Sequence, residues 1–240
     1  HPYWNDLVEV GRQSEQDRFD IAAGLQAATE RVLIEYVSHL YDISPSGTGN
    51  FSFVGGVALN SVALGKIKSE LGFVEHIYVP PVPADDGLCV GAVQYLMHAV
   101  LGLSRVKYDP FFLSYMGVDR PIDDVVDAVQ GFSARLHRQE ASLVDVARLI
   151  ADDKIISIYQ GRSESGYRAL GNRSILANPT NPKMKELINE KVKHRFWFRP
   201  FAPTILEEEA DNWFENSCPS PYMNIVLKVK EHLRSRVPAI

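Results

Sequence analysis

The chain has 240 residues, 45% of them apolar and 23% charged, with a formal net charge of −5 and a sequence pI near 5.8. That supplies one large or two modest hydrophobic cores, while the acidic balance argues against a nucleic-acid-binding domain with its basic footprint. No apolar run has transmembrane length and none reads as a secretory signal; two cysteines, Cys89 and Cys218, make no disulfide framework, so a reducing cytoplasm and no membrane partner are expected.

Ile21, Leu25, Ala28, Val32, Leu33, Tyr36, Val37 and Leu40 recur at helical spacing after Asp20, which predicts a helix capped by Asp20. Pro45–Asn50 reads as a loop and Phe51–Val54 as a short strand running into Gly55-Gly56. A helix is expected from Ala58 to Glu70, ending at Gly72, and a strand over His76–Val79, stopped by Pro80-Pro81. Gly87–Leu101 is so apolar that a helix packed on all sides is predicted. Helix, strand, glycine turn, helix, strand and helix in that order point to an α/β fold with a mostly parallel sheet.

Residues 102–118 lack periodicity and read as a connector. After Pro121 the pattern restarts with a helix (Ile122–Val129), a strand (Ala134–Arg138), a helix (Leu143–Ala151) and a strand (Lys154–Tyr159). A helix from Pro182 to Lys193 and a strand over Tyr222–Val229 follow. The restart predicts two domains, residues 1–118 and 119–240.

Three clusters carry candidate chemistry. Strand, Gly55-Gly56 and helix start make an anion site if the open N–H groups face a ligand; equally, tight βα turns use Gly-Gly for steric reasons. Asp85-Asp86 falls after a strand and before a helix, where N-capping explains one acid and a metal or metal-bound phosphate accounts for two. The seven histidines are scattered, and no His or Cys pairing completes a metal site.

The third cluster is the richest. Residues 154–204 hold ten Lys or Arg against three Glu, a net of +7 in an acidic chain. Arg162, Arg168, Arg173 and Arg199 stand among glycines and prolines, with Gly166 and Gly171 able to bring backbone N–H groups close to a ligand. Arg suits planar, bidentate recognition of phosphate or carboxylate. A solvated basic face or an ion-pair network is the plainer reading, but such faces are usually Lys-rich and interspersed with Glu. A compact phosphorylated small molecule is favoured over nucleic acid.

Taken together, Gly55-Gly-Val-Ala-Leu-Asn60, Asp85-Asp-Gly87, Gly161-Arg-Ser-Glu164, Arg168-Ala-Leu-Gly-Asn-Arg-Ser-Ile175 and Arg199-Pro-Phe-Ala-Pro203 resemble the NodU/CmcH-type O-carbamoyltransferases. The resemblance runs over most of the chain from about residue 20. It implies part of an actin-like (ASKHA) ATPase module with connector over 1–118, and part of a YrdC-like α/β module over 119–240. It also implies an ATP-dependent enzyme that makes carbamoyl adenylate from carbamoyl phosphate and passes the carbamoyl group to a hydroxyl-bearing small-molecule acceptor. Gly55, Gly56 and Asn60 then fall on the nucleotide-contacting turn and Asp85 on a carboxylate that ligates a divalent metal, iron or magnesium. Arg168 and Arg173 become the catalytic arginines, with Arg162, Ser163, Asn172 and Arg199 binding substrate. Where the family shows Glu-Phe-Gly-Pro-Arg, this chain has Glu164-Ser-Gly-Tyr-Arg168. The metal-binding histidine pair belongs to a more N-terminal region, so the chain is expected to be a fragment that binds anions without turnover; a homodimer is allowed. The alternatives are a tRNA-modifying carbamoylating relative and a non-catalytic nucleotide- or phosphate-binding module.

Overall fold

A computed structural model describes residues 3–45, 47–107, 113–132, 135–136 and 139–240. The chain divides into two compact units, His1–Val79 with Asn224–Val226, and Pro80–Met223 with Leu227–Ile240.

The first unit opens with helices α1 (Trp4–Gly11) and α2 (Glu15–Ile43). Ser14, not Asp20, caps α2: the Ser14 hydroxyl accepts the Asp17 N–H at 3.0 Å, which satisfies an end donor that has no partner within the helix. Asp20 instead accepts a side-chain bond from Gln16 one turn inside. Strands β1 (Asn50–Ser52) and β2 (His76–Tyr78) pair in parallel, with Phe51 opposite Ile77. Between them lie a short 3₁₀ turn (Gly56–Leu59) and helix α3 (Ser61–Glu70), the crossover that a parallel pair requires. The expected helix from Ala58 is thus broken at Asn60, whose side-chain oxygen accepts the Ala63 N–H and restarts it as α3.

Val37 of α2, Leu64 and Ile67 of α3, and Ala58, Val74 and Val79 form the core of this unit, with Phe51, Phe73 and Ile77 packed against it. Each such aliphatic side chain contributes about 1.5–3 kcal/mol on full burial. The predicted stripe on α2 is only partly the buried one: Val37 is buried, whereas Leu25, Val32 and Tyr36 are exposed.

In the second unit, helix α4 (Leu88–Tyr95) continues into a π turn (Leu96–Val100). None of its residues is buried and Leu88, Val93, Tyr95 and Val100 are exposed, so the expectation of packing on all sides is overturned. Hydropathy records what a segment tolerates, not what covers it.

Helices α5 (Ile122–Gln130) and α6 (Leu143–Ala151) follow, the latter started by a reciprocal Ser142–Asp145 capping box. The strand predicted over Ala134–Arg138 lies for the most part outside the described residues. Strands β3 (Ile156–Tyr159) and β4 (Arg173–Leu176) pair antiparallel, with Tyr159 opposite Arg173. The parallel pairing expected of the first half holds for β1 and β2, whereas residues 160–172 contain no crossover helix, so β4 returns alongside β3.

Helix α7 (Met184–Leu187) runs into a second π turn (Ile188–Val192), and Met184, Ile188 and Ala239 form a small core with Ile155, Ala177 and Phe201. Tyr222–Val229 is not a strand. Val226 donates to the Ser61 carbonyl, while Lys228 and Val229 lie against Glu215 and Phe214, so its backbone bonds are divided between two partners and no ladder forms.

Candidate functional site

The connection between β3 and β4 holds most of the singled-out residues. At its base, Arg173 donates from Nη1 to the Gln160 and Asn172 carbonyls (2.7 and 2.9 Å) and from Nη2 to the Gly161 carbonyl (3.2 Å). Its guanidinium also lies over the Tyr159 ring, 3.5 Å from the centroid. Arg173 therefore closes the connection across its own mouth. Asn172 donates its side-chain N–H to the Arg162 carbonyl at 2.6 Å. Arg162 is exposed, Arg168 half-buried, and Ser163 is held through its carbonyl by the Gly117 N–H at 3.1 Å.

Glu164 organises the interior. Its Oε1 accepts three backbone N–H groups, from Leu170 (2.7 Å), Asn172 (2.9 Å) and Arg173 (3.2 Å). Burial pushes this carboxyl up, but the N–H bonds prevail and hold it below the usual carboxylate range. Gly171, at φ 107°, gives its N–H to the Ser174 hydroxyl at 2.8 Å. Four consecutive amides, 170 through 173, are thus satisfied within the protein, so the expectation that the glycine backbone at 171 approaches a ligand is corrected.

Two segments brace the connection from outside. Tyr115 donates its hydroxyl to the Leu170 carbonyl at 2.7 Å, and Ser165 bonds the Leu113 and Ser114 carbonyls through its side chain and N–H. On another side lies the turn before α4. A Cβ built on Gly166 would stand 2.1 Å from the Pro81 carbonyl oxygen, so only glycine allows this approach. Tyr167 stands where the family pattern has proline. Partial burial, then the charge and hydrogen-bonding influence of Asp86 and the Asp85 charge, push its phenol up.

Asp85 and Asp86 occupy the 3₁₀ turn Asp85–Gly87 and are exposed. Among the described residues no three His, Cys, Asp or Glu gather as a metal site. Two carboxylates suit a hard cation but leave its coordination incomplete.

Arg199 stands on a separate turn. The buried Asn189 donates to the Trp197 and Arg199 carbonyls (3.1 and 3.0 Å) and accepts from Arg195 Nε at 2.7 Å. Burial, then the neighbouring Arg199 charge, lowers the Arg195 guanidinium. Arg162, Arg173 and Arg199 make no ion pair among the described residues.

In the first unit, Gly55 adopts φ 89°, a region favouring glycine, and leads into the Gly56–Leu59 turn. Beside it lies an open groove of about 390 Å³ lined by Gln26, Thr29, Gly56, Val57 and Asn60. Asn60 exchanges amide bonds with Gln26 (2.9 and 3.2 Å), and Gln26 also donates to the buried Glu30, which pairs with Lys66 at 2.9 Å. Much of the Asn60 amide is therefore committed to structure, as are the Gln26 amide and, through the Leu25 carbonyl, the Thr29 hydroxyl; Gln26 and Thr29 are lining residues that sequence reasoning passed over. No periodicity marks them, because they lie on α2 between its apolar positions.

Family models corroborate both halves of the chain. Residues 4–94 match the model described as Carbamoyltransferase N-terminus and residues 147–240 the one described as Carbamoyltransferase C-terminus. Nodulation protein NolNO of Sinorhizobium fredii is 36% identical over 242 residues, covering 97% of this chain and 35% of that protein. Nodulation protein U of the same species is 33% identical over 234 residues, with 97% and 39% covered. The Synechocystis protein sll1178 is 36% identical over 240 residues, with 95% and 38% covered. The chain spans less than two fifths of the length of these curated relatives.

Proposed function

Because the chain belongs to the carbamoyltransferase family, we propose that it forms part of an ATP-dependent O-carbamoyltransferase, acting through carbamoyl adenylate on a hydroxyl of a small-molecule acceptor. Carbamoyl phosphate, ATP and water give carbamoyl adenylate, phosphate and pyrophosphate; the acceptor hydroxyl then attacks the carbamoyl carbon and AMP leaves. On this reading the chain carries part of an actin-like module and part of a YrdC-like module meeting near residue 118, within the stretch 95–146 that neither family model matches. On the same reading the protein is cytoplasmic, in keeping with a sequence of only two cysteines. No described helix is long and apolar enough to cross a membrane.

The observation that carries the reading is the state of Glu164. The one acid inside the arginine-rich connection accepts three backbone N–H groups, and Arg162 and Arg173 make no ion pair among the described residues, which suits the connection to an external anion. Arg168, Arg162 and Arg199 hold the phosphoryl oxygens, and a charge-assisted bond from each contributes about 1.5–3 kcal/mol. Arg173, fastened to three carbonyls, keeps the mouth closed and offers its remaining N–H groups. Oriented guanidinium donors that need no reorganisation stabilise charge as it moves onto a leaving phosphate. The groove at Gly56, Gln26 and Asn60 takes the nucleotide. Asp85 contributes to a divalent metal together with ligands that the described residues do not supply.

Calorimetric titration of carbamoyl phosphate into the full-length protein tests the assignment. Arg168→Ala is expected to weaken binding about tenfold or more, with the far-ultraviolet dichroism unchanged. Equal affinity in a folded variant would remove Arg168 from the site.

A further inference from the structure

We infer that Glu164 is the positioning residue of the arginine-rich connection: its carboxylate sets the path of residues 168–173, and with it the placement of Arg168, Asn172 and Arg173. The inference rests on the reading of this connection as the carbamoyl phosphate site.

The geometry is that of a concave run of amides filled from within. Leu170, Asn172 and Arg173 all point their N–H groups at a single oxygen of Glu164, and Gly171 between them is turned away to Ser174 by its φ of 107°. Leu170 and Asn172 lie before β4, and although the Asn172 carbonyl accepts the Gln160 N–H at 3.1 Å, no strand partner takes the N–H group of either residue. Successive amides in such a turn make an anion-binding concavity, and here the anion is the protein's own. Charged acceptors bond more strongly than neutral ones, so the connection is shaped before any phosphate arrives. Removing the acceptor leaves three half-buried donors to find water or another path, and the residues between them carry the arginines along.

The hydrogen bonding of Glu164 also argues for this role over a reacting one. Glu164 sits four residues before Arg168 and nine before Arg173, and its Oε1 is wholly engaged by main chain. A group so occupied is placed to hold, not to exchange a proton.

The test uses Glu164→Ala and the near-isosteric Glu164→Gln in the full-length protein, with amide hydrogen exchange resolved by residue and steady-state kinetics. In Glu164→Ala, protection at Leu170 and Asn172 is expected to be lost while the β3 and β4 ladder amides stay protected. The KM for carbamoyl phosphate rises about tenfold or more, and the KM for ATP is unchanged. Glu164→Gln keeps an acceptor oxygen and recovers part of both, and it serves alone if the alanine variant does not fold. Retained protection at Leu170 and Asn172 in the folded variant overturns the inference, as does lost protection with an unchanged affinity. If the wild type consumes no carbamoyl phosphate, the functional reading fails by itself, and exchange together with affinity for inorganic phosphate then decides the role of Glu164.

Discussion

At Glu30 the carboxylate is buried in the first unit and titrates low, chiefly through the Gln26 hydrogen bond and then through Lys66. Lys66 titrates high, first through its bond to Glu30. The signs bracket a window. The Glu30 contribution is full above its unfolded pKa and is lost as pH falls through the folded value; that of Lys66 is full below its unfolded pKa and is lost as pH rises through its folded value. Glu30→Gln is therefore expected to flatten the acid limb of a plot of urea midpoint against pH. The same acid slope in variant and wild type would show that other carboxylates govern that limb. The arrangement also holds Gln26 in place beside Asn60, so the electrostatics of one pair reach the edge of the proposed nucleotide groove.

At the level of elements, the β3–β4 connection is a long loop held on two sides, by residues 113–117 and by the turn at Pro81 and Val82. Gly166→Ala drives a methyl against the Pro81 carbonyl oxygen, where backbone cannot yield cheaply. Overpacking of this kind costs about 1–3 kcal/mol, and the connection must lift from the turn. A lowered urea midpoint with weakened carbamoyl phosphate binding is expected; a fully stable variant with native affinity would refute the tight approach. The arginine residues here were legible in the sequence because charge against the chain's overall sign, glycine spacing and family resemblance agreed. The roles within the cluster were not. Glu164 is one of three acids by composition, and nothing in its spacing shows that its partners are main-chain amides rather than arginines. Nor does spacing show that the Arg173 guanidinium donates to three carbonyls and lies over a ring. Helix starts show the same limit: Ser14 and Asp20 both satisfy the capping preference, and only the backbone path selects Ser14.

At the level of the whole molecule, two compact units each carry one part of the proposed chemistry, a glycine turn with a groove in one and an arginine-rich connection in the other. The α/β character was legible from alternating periods, but not which apolar faces would be covered. Leu88, Val93 and Tyr95 on α4 and Leu25, Val32 and Tyr36 on α2 are exposed although their spacing suits a core. Periodicity reports a face and leaves its partner open, and this chain spans less than two fifths of the length of the three relatives described above. The same partition explains the mixed sheet reading, since β1 and β2 have a crossover helix between them and β3 and β4 have none.

The most direct test of the account is pyrophosphate release by the full-length protein given ATP, carbamoyl phosphate and a divalent cation, with Arg168→Ala beside it. The account predicts release that requires carbamoyl phosphate and falls by about a hundredfold in the variant, as loss of an oriented charge-stabilising donor does elsewhere. No release from a folded protein that binds ATP, with acceptor present, would contradict it and leave a nucleotide-binding module without transfer activity.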